Sequence, residues 1–160
     1  MSQTNNGKSI SEKLNSLIER LEAFDKQMGL SVKLSPETQS EAQKLIELSP
    51  GELRKLTKEE AQDGAFILQQ MAFFLQKIIN HENAIIKWAE ECLGRILSQA
   101  VGILKNYYTA EERKMAAIRE SDQGKELHAI IVERKIRIEK MAFLINRIEN
   151  LAKALISRRV

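Results

Sequence analysis

Residues able to do chemistry are sparse in this sequence, and they do not cluster. Two pairs of adjacent carboxylates, Glu90-Glu91 and Glu111-Glu112, come nearest to general acid–base machinery. Neighbours on a helix point about 100° apart, so neither pair converges on one substrate unaided. Glu111-Glu112 also fits the first turn of a helix, where acids offset the dipole. His81 and His128 are far apart, Cys92 is single, and no glycine-rich loop precedes a basic residue. That pattern offers no metal site, no nucleophile with its base and no phosphate cradle. The expectation is a protein that is not an enzyme and holds no cofactor.

One constellation has binding chemistry. Tyr107 and Tyr108 lie between Lys105 and the pair Arg113-Lys114, with Arg119 further on. Rings flanked by cations suit single-stranded nucleic acid, because rings stack on bases while Lys and Arg hold phosphates. Adjacent tyrosines are equally ordinary packing residues, and Tyr107 falls on an apolar seam. If a base stacks here, Tyr108 is the stacker.

The elements that must carry these residues are long helices. From Thr57 to Tyr108 there is no proline, and apolar residues return at alternating steps of four and three, from Ala61 and Ala65 through Ile103 and Tyr107. Glu82 alone breaks this stripe. The spacing predicts a helix over 58–107, about 75 Å long, which must bury its seam against a partner. Leu127, Ile131, Ile138, Met141, Ile145, Ile148, Ala152 and Leu155 repeat the rhythm, with Arg134 the one polar member. Two such helices joined by a short connector predict an antiparallel helical hairpin over 57–160. Each stripe has a second apolar edge, including Ile67, Met71, Ile85 and Trp88, wide enough to serve a neighbouring subunit. A homo-oligomer is therefore expected. Cys92 lies on that edge and reads as a small core hydrophobe.

Within the stripe, Asn80-His81-Glu82-Asn83 is a polar interruption. It either fixes register from within the seam, at a cost in stability, or lies in solvent beyond the partner's reach.

Upstream, residues 1–8 are polar and predict a disordered tail. Short helices follow over 9–56. Ser9 with Glu12 forms a capping box before the seam Ile10, Leu14, Leu17, Leu21, Phe24 and Met28, which Gly29 ends. Ser35-Pro36 starts a second helix, and Ser49-Pro50 with Glu52 restarts it after a break. Thr57 with Glu60 and Thr109 with Glu112 repeat the box, predicting helices from 58 and over 110–120. Met115, Ala116 and Ile118 give the latter its apolar side. Ser121, Asp122 and Gly124 mark a break before a last helix over 125–157. No alternating β pattern competes, so the fold class is all-α.

The formal net charge is +3. Residues 1–108 carry thirteen Lys/Arg against fourteen Asp/Glu, and residues 109–160 carry twelve against eight, so the excess sits in the last third. A basic surface there suits nucleic acid, an anionic membrane or an acidic protein. The longest uncharged run, Gly64 to Gln76, is thirteen residues and includes three glutamines, too short and polar to span a bilayer. The polar N-terminus lacks an apolar signal segment, and one cysteine fits a reducing compartment, so a cytoplasmic location is expected.

In order and spacing, residues 57–159 resemble the UvsY family of recombination mediators from T-even-like phages. The matching pieces are Asn80 to Lys87, the Tyr107-Tyr108 pair, a charged connector and a last helix ending Ser157-Arg158-Arg159. The resemblance implies a helical, ring-forming protein of the host cytoplasm that binds single-stranded DNA, loosens a single-strand-binding protein and helps load a RecA-like recombinase. In that family the DNA-binding cations precede the tyrosine pair. Here that stretch departs from the family's pattern and keeps only Lys105, with Arg95 further back, so DNA binding requires Arg113, Lys114 and Arg119 to take over the task. Two other readings fit the residues alone: a structural coiled-coil protein of a virion or scaffold, and an adaptor for an acidic partner.

Overall fold

The structure, a computed structural model, describes residues 7–31, 33–100 and 109–157. Six helices account for most of them: α1 (Ile10–Gln27), α2 (Pro36–Glu47), α3 (Pro50–Lys55), α4 (Lys58–Gln99), α5 (Ala110–Glu120) and α6 (Asp122–Ser157). Among the described residues there is no strand.

Every helix start predicted from a capping pattern is built as the pattern requires. Ser9, Ser49 and Thr109 each accept from a backbone amide three residues on, and Glu12, Glu52 and Glu112 reach back to the cap amide. Thr57 and Glu60 make the same reciprocal pair before α4, with 2.6 Å from the Thr57 amide to Glu60 Oε2. Ser35 caps α2, with Pro36 in the first turn where its missing amide is not needed. Gly29 follows α1 at φ 68°, a left-handed conformation that a side chain resists.

The chain divides into two compact units, and α4 and α6 each contribute one stretch to both. One unit comprises Gly29–Asn80 and Ile138–Val160. Its core joins Ala61, Ala65, Leu68 and Ala72 of α4 to Ile145, Ile148, Ala152 and Leu155 of α6, with Ala42 of α2 closing it. Leu68 and Ile148 are fully buried, each a contribution of roughly 1.5–3 kcal/mol from apolar surface leaving water. Four alanines at this seam let the helices approach closely. Gly64 extends that seam: a Cβ there would stand 3.2 Å from a Leu45 methyl and 3.6 Å from one of Leu155. The short helices α2 and α3 thus belong with this part of α4 and α6, a placement the sequence left open.

The other unit comprises Met1–Met28 and His81–Arg137. Ile85, Ile86, Ala89 and Leu93 of α4 are buried, as are Leu127 and Ile131 of α6. Ala116 and Ala117 of α5 pack against Leu97 and Ala100.

Several expectations need correction. α6 begins at Asp122, three residues earlier than predicted, because Ser121 caps it by accepting from the Gly124 amide. Gly124 is no breaker but a contact point, since a Cβ there would lie 2.8 Å from the Ala117 carbonyl oxygen. Met115 is exposed, and the buried residues of α5 are Ala116, Ala117 and Ile118. The α1 seam stops short: Phe24 and Met28 are exposed while Asp25 between them is buried. The predicted continuation of α4 through residue 107, and residues 1–6 of the predicted tail, lie outside the described residues.

Candidate nucleic-acid interface

Of the five residues assigned to nucleic acid, Lys105 and Tyr108 lie outside the described residues, as does Tyr107. Arg113, Lys114 and Arg119 are on α5, whose start is fixed by Thr109 and Glu112. Lys114 and Arg119 are exposed and Arg113 is half-buried. At about 100° per residue the three cations point roughly 100–140° from one another, so α5 does not gather them on one face. Glu111 and Glu120 share the helix, which dilutes its positive field.

Lys114 instead borders a groove of about 380 Å³ with Glu90, Leu93, Gly94 and Leu97 of α4. Gly94 also edges a second groove with Arg95, Ser98 and Gln99, and the space where its Cβ would be is open. Arg95 and Lys114 therefore flank one glycine. Arg95 adjoins Gly94 in the sequence, whereas Lys114 borders it through the packing of α5 against α4, which spacing alone does not show.

Three cations of α6 have acidic partners on α4, and only Arg134 among them is largely buried. Arg134 Nη1 lies 2.9 Å from both carboxylate oxygens of Glu82, and Arg137 stands 3.6 Å from the same carboxylate. Lys135 reaches Glu90 at 3.7 Å. The polar interruption of α4 thus splits: Asn80 and Asn83 are exposed, Glu82 is buried, and His81 Nε2 lies 2.7 Å from Asp25 Oδ2 of α1.

One member of each carboxylate pair has a positional role. Glu112 completes a cap and Glu90 meets a lysine. Among the described residues, no three His, Cys, Asp or Glu side chains gather to hold a metal ion. No helix among them is long and apolar enough to cross a membrane.

The sequence stripes missed where the aromatic residues go. Phe24, Phe66, Phe73 and Phe143 are all more than half exposed, so four of the five phenylalanines stay outside the cores that alanines and aliphatics fill. Only a hydrophobic period taken on the opposite faces of α4 and α6 would have flagged Phe66, Phe73 and Phe143.

No family model matches the chain, and neither a curated protein nor a solved structure matches it.

Proposed function

We propose that this chain is a self-associating helical hairpin that binds single-stranded DNA and serves as a recombination mediator, without catalysis, in the cytoplasm of a phage-infected host. Its partners on this reading are other copies of itself, single-stranded DNA, a single-strand-binding protein and a recombinase.

The hairpin is supported within one unit. A Cβ on Gly64 would lie 3.6 Å from a Leu155 methyl, while Ala72 and Gln76 share a groove with Ile145 and Ala152, a pairing that fits helices running in opposite directions. Self-association is supported by the observation that carries the proposal, the exposure of Phe66, Phe73 and Phe143 on helices whose other sides already have partners. DNA binding is supported by Lys114 and Arg119, exposed on the helix that directly follows the segment bearing Lys105 and Tyr108. The order of elements also follows the resemblance to recombination mediators.

A labelled single strand titrated at two salt concentrations tests the binding. A mediator binds and weakens steeply as salt rises, because each neutralised phosphate releases counterions. The dispersal of the α5 cations favours one other reading, a structural helix-association protein, and an absence of binding even at low salt would select it.

A further inference from the structure

The unit formed by residues 29–80 and 138–157 carries two exposed stripes with opposite charge. On α4, Glu59, Asp63, Phe66, Gln70 and Phe73 are exposed and recur at steps of four and three. On α6, Lys140, Phe143 and Arg147 are exposed at steps of three and four. Both are heptad spacings, each on the side of its helix away from the shared core. Phe143 is 74% exposed, Phe66 61% and Phe73 57%. Among the described residues, none of Glu59, Asp63, Lys140 and Arg147 takes part in an ion pair.

We propose that copies of this chain dock through unlike faces: the Lys140–Phe143–Arg147 stripe of one copy lies on the Asp63–Phe66–Phe73 stripe of the next. The inference rests on the self-association proposed above and names its surfaces. Charge selects the occupant. If the α6 stripe met itself, Lys140 and Arg147 would face like charges, whereas the α4 stripe offers one of them an acid, Asp63. With Phe66 against Phe143, Asp63 meets Lys140 when the helices are parallel and Arg147 when they are antiparallel. Phe73 stands between grooves of about 440 and 470 Å³, one shared with α6 and one with residues 33–38, which gives an incoming aromatic side chain a concave seat. A contact between unlike faces leaves one free face of each kind, so it propagates into a ring or a filament.

Charge exchange tests this on the full chain by sedimentation. Lys140→Glu with Arg147→Glu makes both faces acidic, and Glu59→Lys with Asp63→Lys makes both faces basic. Each double variant is expected to need at least about tenfold more protein to assemble, on the scale of an interface hot spot removed. Mixing the two restores assembly, because unlike faces then meet again, and so does combining all four changes in one chain. Circular dichroism of each variant checks that the helices remain.

Double variants that assemble like the wild type would overturn the proposal while leaving self-association intact. A mixture that stays dissociated would overturn it too. So would loss of single-strand binding by the α6 variant with assembly unchanged, which would give that stripe to DNA. A wild type that is monomeric throughout would remove self-association itself. A wild type that assembles and complements as described but binds no DNA would overturn only the DNA reading.

Discussion

Arg134 and Glu82, each the one polar member of its helix's apolar stripe, are bound to each other. A single nitrogen, Arg134 Nη1, lies 2.9 Å from both Glu82 carboxylate oxygens, and the Glu82 side chain is 8% exposed. Arg134 Nε is buried without a hydrogen-bond partner among the described residues. The pairing is thus incomplete, and the cost of taking both charges out of water offsets much of their attraction. Any slide of one helix along the other would strand both charges among apolar side chains.

Removing one partner should therefore cost more than removing both. Arg134→Met is expected to destabilise by about 3–5 kcal/mol, since it leaves a buried carboxylate facing only Arg137. Adding Glu82→Leu should recover most of that loss. Chemical denaturation of the two single variants and the double variant, read as a cycle, measures the coupling. Equal, additive losses would mean that the pair is solvated.

Gly124→Ala tests packing against propensity. In an ordinary helix interior the change stabilises by up to about 1 kcal/mol. Here the new Cβ would press on the Ala117 carbonyl oxygen, which is backbone and cannot turn aside. The expected outcome is a net loss of roughly 1–3 kcal/mol and a lower melting temperature.

Two helix starts should be sensitive to acid. The Glu52 carboxyl is held below its ordinary range by hydrogen bonds from the Ser49 hydroxyl and backbone amide. Glu60 is lowered by the Thr57 backbone amide and then its hydroxyl. A carboxyl depressed on folding binds fewer protons in the folded state. Its contribution is present above the ordinary carboxylate range and is lost as pH falls through the depressed value. Replacing both residues by Gln should flatten the acid side of a melting-temperature profile while leaving its slope near neutral pH unchanged.

On the DNA reading, Lys114→Ala with Arg119→Ala should lower the slope of log affinity against log salt by about 1.4, near 0.7 for each phosphate no longer neutralised. Tyr108→Ala should weaken binding by roughly 1–3 kcal/mol if the ring stacks on a base. Affinity and slope unchanged in both variants, with assembly preserved, would place any single strand elsewhere. Arg95 and Lys114 beside Gly94 are then the next pair to replace.

Ile145→Asp would put a charge into the alanine-rich seam between α4 and α6. The expected cost is several kcal/mol, from a buried charge with no partner in the core around it. Ile156→Asp on the same helix, at a side chain 58% exposed, should change stability by less than about 0.5 kcal/mol.

By itself the sequence determined the capped helix starts and the buried seams of α4 and α6. Capping is chemistry between residues three apart, so Ser9 with Glu12 or Thr57 with Glu60 announces itself without any knowledge of the fold. A seam such as Leu68, Ala72 and Ile79 is equally local, because helical period alone puts those side chains on one line. Only the tertiary structure decided which interruption met which. Glu82 and Arg134 were each visible as exceptions, but their union required two stretches far apart in the chain to lie side by side. The same holds for Asp25, which is buried and meets His81 from a distant stretch of chain, and for Gly124, whose role is set by a carbonyl on another helix. Phe66, Phe73 and Phe143 fall on the faces that the chain's own core leaves uncovered. Sequence hydrophobicity says that such residues seek burial, and only the fold shows that the described residues leave them exposed.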